Sequence, residues 1–209
     1  MNISLIRYFV LSICYIFIIE LANFILKTDL LIYNSLAAKL GKEQISEILN
    51  FQKKWEWVSF LSTPVFFLIK ITLISSVLYI GTAFSDTKIY FKAIFDNVIK
   101  AEFIFLLVPI FKIIWFYFFQ TSYSLEDIQY FYPLSALNIV GYKGLEPWLI
   151  YPFQTLNLFE LSYWLILAFF IGKATETTMD HGLKIVASSY GSALLLWVVV
   201  IMFFTLNYS

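Results

Sequence analysis

Four ionisable side chains, Glu20, Lys70, Lys112 and Glu160, lie inside runs of apolar residues. Each costs about 2.5 to 3.5 kcal/mol near the centre of a membrane helix, so four unpaired charges would cost on the order of 10 to 14 kcal/mol. Two acids and two bases cancel, and Lys70, Lys112 and Glu160 fall near the middle of their runs. We therefore expect them to face inward as a buried network, with Glu160 paired to Lys112 or Lys70. Gln154, Asn157 and Glu160 recur at every third position, which on one helix makes a polar stripe across about a third of its circumference. Such a stripe permits two chemistries. One is a hydrated path or cavity for an ion or small solute, with Glu160 as the titrating group. The other is interhelical bonding that fixes the packing of the helices or holds another membrane subunit, and this is the expectation carried forward.

Other reactive residue types point to no site. His181, the one histidine, stands beside Asp180 and Glu176 in a short polar turn, and we expect a solvated loop residue there, since a metal would need more ligands. Cys14 is the only cysteine, which excludes an intrachain disulfide and a thiolate cluster. No glycine-rich phosphate loop, nucleophile elbow or zincin motif occurs, and Ser188, Ser189 and Ser192 have no neighbouring base in the sequence. No cofactor is expected.

The elements that must position these groups follow from composition. Of 209 residues, 61% are hydrophobic, 21% aromatic and only 13% charged, with a mean hydropathy of +0.81. An ordinary soluble domain is about a quarter charged, so most of this apolar surface has to face lipid. Fourteen basic residues balance fourteen acidic ones, which leaves no excess to hold a nucleic-acid backbone. All the basic residues but Arg7 are lysine, and Phe, Ile, Tyr and Asn are abundant, a usage that points to an AT-rich bacterial genome.

Hydropathy then predicts an all-α integral membrane protein of five transmembrane helices with short interfacial amphipathic helices, built as one membrane domain. Helix one covers residues 3–26, where Glu20 and Asn23 followed by further apolar residues favour a signal anchor over a cleaved leader. Residues 27–56 read as an interfacial segment, with Trp55 and Trp57 at headgroup level. Helix two is expected over 57–84 with a kink near Pro64, then a short amphipathic stretch through Val98 capped by Ser85, Asp86 and Thr87. Helix three is expected over 101–119 and bent by Pro109. A polar segment from Gln120 to Trp148 opens with a Ser124-to-Asp127 capping box, and helix four follows from Trp148 to Gly172. Helix five, ending near Leu206, sets Ala187 with Gly191 and Ser188 with Ser192 at the four-residue spacing that allows close internal packing.

Lysine and arginine divide six against six between the two sides. In helices two to five, however, the short connections carry five lysines and the long one only Lys143, which by the positive-inside rule favours a cytoplasmic N-terminus.

The order of elements over residues 57–206 resembles the Ypt-interacting-protein (Yip) family of membrane proteins. The words that carry the likeness are Phe91-Lys92-Ala93, Pro133-Leu134-Ser135, Leu156-Asn157-Leu158-Phe159, Ile171-Gly172-Lys173, Lys184-Ile185-Val186 and Tyr190-Gly191. The resemblance implies a four-helix core in the membrane. Eukaryotic relatives associate with Rab GTPases on Golgi and endoplasmic-reticulum membranes, whereas bacterial members mostly lack an assigned activity. This chain has no long region before its first span and no Asp-Leu-Tyr-Gly-Pro motif, so Rab binding is not carried over. The expected role is non-enzymatic: an accessory or scaffolding subunit of a larger assembly in a bacterial cytoplasmic membrane, contacting lipid and another membrane protein or itself. The alternative is a small ion- or proton-coupled transporter using the buried charges. A lipid-acting enzyme, with its site between Gln120 and Trp148, is the third.

Overall fold

The computed structural model describes residues 3–37, 39–85 and 89–208, and every regular element among them is helical. The chain runs through α1 (Ile3–Ile25), α2 (Thr28–Ala37), α3 (Lys42–Phe84) and α4 (Phe91–Phe119). A loop segment follows with two short helices, α5 (Leu125–Tyr130) and α6 (Leu137–Val140). The fold closes with α7 (Pro147–Thr155), α8 (Leu158–Ala174) and α9 (Met179–Tyr208). Four helices, α1, α3, α4 and α9, are long and apolar enough to cross a membrane.

Three boundaries differ from the sequence expectation. Helix two does not begin at Trp57: α3 starts at Lys42 and runs unbroken through Pro64, so the second half of the expected interfacial segment is the same helix. At about 1.5 Å per residue its 43 residues span about 64 Å, twice the roughly 30 Å of a bilayer core. The phenol of Tyr8 donates to the Pro64 carbonyl and ties α1 to α3 at that level. Nor is the amphipathic stretch before helix three separate, because α4 is continuous from Phe91. Its turn tightens over Phe103–Leu106, just ahead of Pro109, which cannot donate to the carbonyl four residues back. Of the expected cap, Asp86 and Thr87 lie outside the described residues, and Ser85 closes α3.

The third difference matters most for function. Helix four is two helices, α7 and α8, interrupted at Leu156 and Asn157. Asn157 has an extended backbone (φ −140°, ψ 161°) and pairs with Ser135 of the preceding loop in an antiparallel bridge. The Ala136 N–H donates to Leu156 O at 2.8 Å and the Leu158 N–H to Leu134 O at 3.1 Å. The freed backbone groups at the break are thus satisfied by protein, as non-helical backbone away from water requires.

The buried core joins Tyr8 and Leu11 of α1, Ile71, Ile74 and Leu78 of α3, and Ile94, Val98 and Ile99 of α4 to Leu167 and Ile171 of α8 and Ile185 and Val186 of α9. Close approach of α8 and α9 depends on Gly182, where a Cβ would meet the backbone carbonyl of Ala168. On α9, Gly191 lies under Trp164, whereas Ala187, Ser188 and Ser192 are exposed. Outside the core, Phe24, Phe66, Phe84, Phe118 and Phe203 are exposed, an apolar exterior suited to lipid.

Side-chain caps start two helices. Ser124 Oγ accepts from Asp127 N at 3.2 Å while Asp127 Oδ2 accepts from Ser124 N at 2.8 Å, the expected capping box. Thr178 accepts from His181 N at 3.3 Å and starts α9, so His181 belongs to a helical first turn rather than a solvated loop; its Nε2 is buried with no partner among the described residues.

The Ser124 cap yields a pH prediction. The Ser124 N–H bond, with further donation from Tyr142 at 2.7 Å, holds the Asp127 carboxyl below its ordinary value. A group depressed in the folded state stabilises above the ordinary carboxyl range and loses that contribution as pH falls through its folded value. Protection of the α5 amides against hydrogen exchange, after correction for intrinsic rates, is expected to decline on acidification in the wild type and to be flatter in Asp127→Asn.

Candidate functional site: a divided polar cluster beside two cavities

Helix faces bring polar groups together between the long helices. Glu102 comes from α4, on the face of Ile94, Val98 and Phe105, and is 1% exposed. Its Oε2 accepts from Lys70 Nζ of α3 at 2.7 Å, and its Oε1 accepts from the Tyr163 phenol of α8 at 2.9 Å. The Lys70 ammonium also lies 4.5 Å from the centre of the Phe105 ring. One carboxylate therefore ties three helices.

Glu160, in the first turn of α8, forms the second group. Its Oε1 accepts from Trp164 Nε1 at 2.9 Å and from the Tyr190 phenol of α9 at 2.7 Å. Glu160 forms no ion pair with either lysine expected to meet it: Lys70 acts on it only through space and is bonded to Glu102 instead, while Lys112 has no hydrogen bond or ion pair among the described residues. Lys112 is half-buried on α4. Glu20 also stays outside the cluster, with the acids Glu56 and Asp29 as the charges acting on it.

The expected stripe is reorganised by the break in helix four. Gln154 Nε2 donates to Tyr130 O at 3.1 Å, binding α7 to the loop segment. Asn157 is the N-cap of α8, with its Oδ1 accepting from Glu160 N at 2.8 Å and its Nδ2 donating to Gln154 O at 2.9 Å and Thr155 O at 3.0 Å. Asn157 thus holds the interruption and orients the turn that carries Glu160. Asn157→Ala should lower stability by about 1 to 2 kcal/mol, with partial recovery in Asn157→Asp, which keeps the cap acceptor. Reversible unfolding in mixed micelles measures this.

Two cavities adjoin the cluster. One, of about 870 Å³, is lined by α1, α3, α4, α7, α8 and α9 and reaches Lys70, Tyr132, Gln154, Glu160 and Tyr190. The other, of about 970 Å³, lies under the loop of residues 133–142. Asn157 and Glu160 line both.

At the N-terminal end of α1 a second ion cluster joins Arg7 and Lys100 to Asp96 at 2.8 and 2.6 Å. No group of three or more His, Cys, Asp or Glu side chains is placed to hold a metal among the described residues.

Sequence reasoning missed Glu102, Tyr163, Trp164 and Tyr190. A signal for Glu102 existed: with α4 read as one helix, Ile94, Val98, Glu102 and Phe105 share a face. Starting helix three at Ala101 made Glu102 a boundary residue instead.

Comparison with protein-family models, with curated proteins and with solved structures gives no match to this chain.

Proposed function

We propose that this chain is a non-enzymatic integral membrane protein that acts as an accessory or scaffolding subunit of a larger membrane assembly. The observation that carries the reading is the first half of α3. Residues 50–61 are exposed on every side of the helix, yet they include Phe51, Trp55, Trp57, Val58, Phe60 and Leu61. Phe51, Trp55 and Val58 follow the i, i+4, i+7 spacing of one helix face, and the Phe51 and Trp55 rings lie 6.1 Å apart. An exposed aromatic face of that length suits a helix of another membrane protein or of a second copy. The engagement of Glu102 and Glu160 with groups that tie helices together supports a structural use of the buried acids.

In this reading α7 and α8 together make a fifth crossing beside α1, α3, α4 and α9, and the start of α1 lies on the cytoplasmic side of a bacterial inner membrane. The lysine-rich short connections support that orientation. The order of elements over residues 57–206, with paired helices last, supports a Yip-like core.

Photocrosslinking residues placed singly at Phe51 and Trp55 in native membranes test the role. A discrete protein adduct at both positions is expected, and adducts with lipid alone would contradict it.

A second reading, a path for an ion or small solute, is favoured by one observation: Glu160 borders both cavities. Proteoliposomes carrying wild type and Glu160→Gln test it by their proton and ion flux.

A further inference from the structure

The 870 Å³ cavity has an uneven balance of charge. Lys70 is on its wall, but its ammonium is matched by Glu102 at 2.7 Å. Glu160, also on the wall, directs both of its donors to one oxygen: Oε1 accepts from Trp164 and Tyr190, while Oε2 accepts from no described group. With these carboxyls ionised, the cluster carries one negative charge beyond the Lys70–Glu102 pair, and Glu160 Oε2 accepts no hydrogen bond among the described residues.

Apart from Thr63, Gln154, Thr155 and Asn157, the remaining wall is apolar and aromatic, including Phe67, Phe105, Tyr132, Tyr151, Tyr190 and Trp197. Gly81 and Ser189 hold α3 against α9, whereas Ile69 and Leu73 of α3 and Ala193 and Trp197 of α9 face the cavity. Ile69, Leu73 and Trp197 are exposed as well as lining the cavity, so it is open where these apolar side chains border it.

We propose that this cavity binds a lipophilic organic cation, an ammonium or phosphonium centre on an apolar body, with Glu160 as its counter-ion. A carboxylate supplies opposite charge, aromatic faces attract a weakly hydrated cation, and the apolar wall receives its substituents. A hard cation such as calcium is less suited, because it needs six to eight oxygen ligands, whereas Asn157 Oδ1 already accepts from Glu160 N and the hydroxyls of Thr63, Thr155 and Tyr190 are engaged with Ser59 O, Tyr151 O and Glu160. An anionic amphiphile would meet Glu160 with Lys70 already neutralised. The site rests on the solute-path reading of Glu160 and gives that reading a ligand class.

Equilibrium dialysis of tetraphenylphosphonium against the full chain, purified in neutral detergent, tests the proposal. Saturable one-to-one binding is expected, at least tenfold weaker in Glu160→Gln and retained in Glu160→Asp, with tetraphenylborate, an anion of the same shape, failing to compete. Leu73→Trp, a change at the rim away from Glu160, is expected to weaken binding and stands in if Glu160→Gln does not fold. Absence of saturable binding, equal affinity in the tested variant, or equally tight tetraphenylborate binding would overturn the proposal. Glu160-dependent proton flux in proteoliposomes without phosphonium binding would refute the ligand class and leave the path reading standing.

Discussion

Replacing Lys70 with methionine should destabilise the protein by about 3 kcal/mol, and adding Glu102→Met should restore most of that loss. Glu102 is 1% exposed, and besides Lys70 Nζ its described partner is the neutral Tyr163 phenol. Removing the lysine leaves a buried carboxylate without its counter-charge, a loss typically worth about 3 to 5 kcal/mol in protein interiors. Removing both charges leaves an apolar contact and one unbonded phenol, a smaller loss. The single change Glu102→Met should be milder than Lys70→Met, because the Lys70 side chain is 43% exposed and can turn its ammonium toward the cavity. A double-mutant cycle by reversible unfolding in mixed micelles measures the coupling. Strict additivity would mean that the pair does not tie α3 to α4.

Replacing Gly182 with valine should be at least as damaging, at about 3 kcal/mol or more, but through shape alone. A Cβ at Gly182 would meet the Ala168 carbonyl and lie 3.0 Å from the Gly172 backbone nitrogen. These obstacles are backbone, so no side-chain rotation relieves them, and α8 and α9 would have to separate. Moving apart also loosens the contact of Gly191 with Trp164, and with it the Tyr190 and Trp164 bonds to Glu160. Thermal unfolding in detergent, followed by tryptophan fluorescence, should show a lower midpoint for Gly182→Val and an intermediate one for Gly182→Ala. An unchanged midpoint in both would contradict the packing described.

The helical class and the long apolar elements could be read from hydropathy because lipid imposes a simple rule on length and composition. The cap at Ser124 was legible for a related reason: it depends on bonds within four residues. The break at Asn157 was not, since Leu156-Asn157 continues an apolar run and is held open by Ser135, more than twenty residues away. Periodicity alone therefore extended the helix through it. Of the four charges expected to form a network, Lys70 alone has an ion pair among the described residues, and its partner is Glu102. Lys70 was expected to seek an acid, but Glu160 and Glu102 both border the region it reaches, and only the rotation of α4 decides between them. Lys112 and Glu20 show the converse error, because depth in an apolar run does not bring a charge to its opposite. The projection of α3 was hidden by its own composition, since Lys42 to Glu56 is polar enough to resemble a connector while still helical.

An accessory or scaffolding subunit must be found with something else. The most direct measurement is purification of the full chain from its native membrane in a mild detergent, with native mass spectrometry of the intact particle. A second protein, or a second copy of the chain, in constant stoichiometric amount is the predicted result, and its loss on replacing Phe51, Trp55 and Val58 with serine would place it on α3. A particle containing one copy of this chain and only lipid or detergent would contradict the scaffolding role.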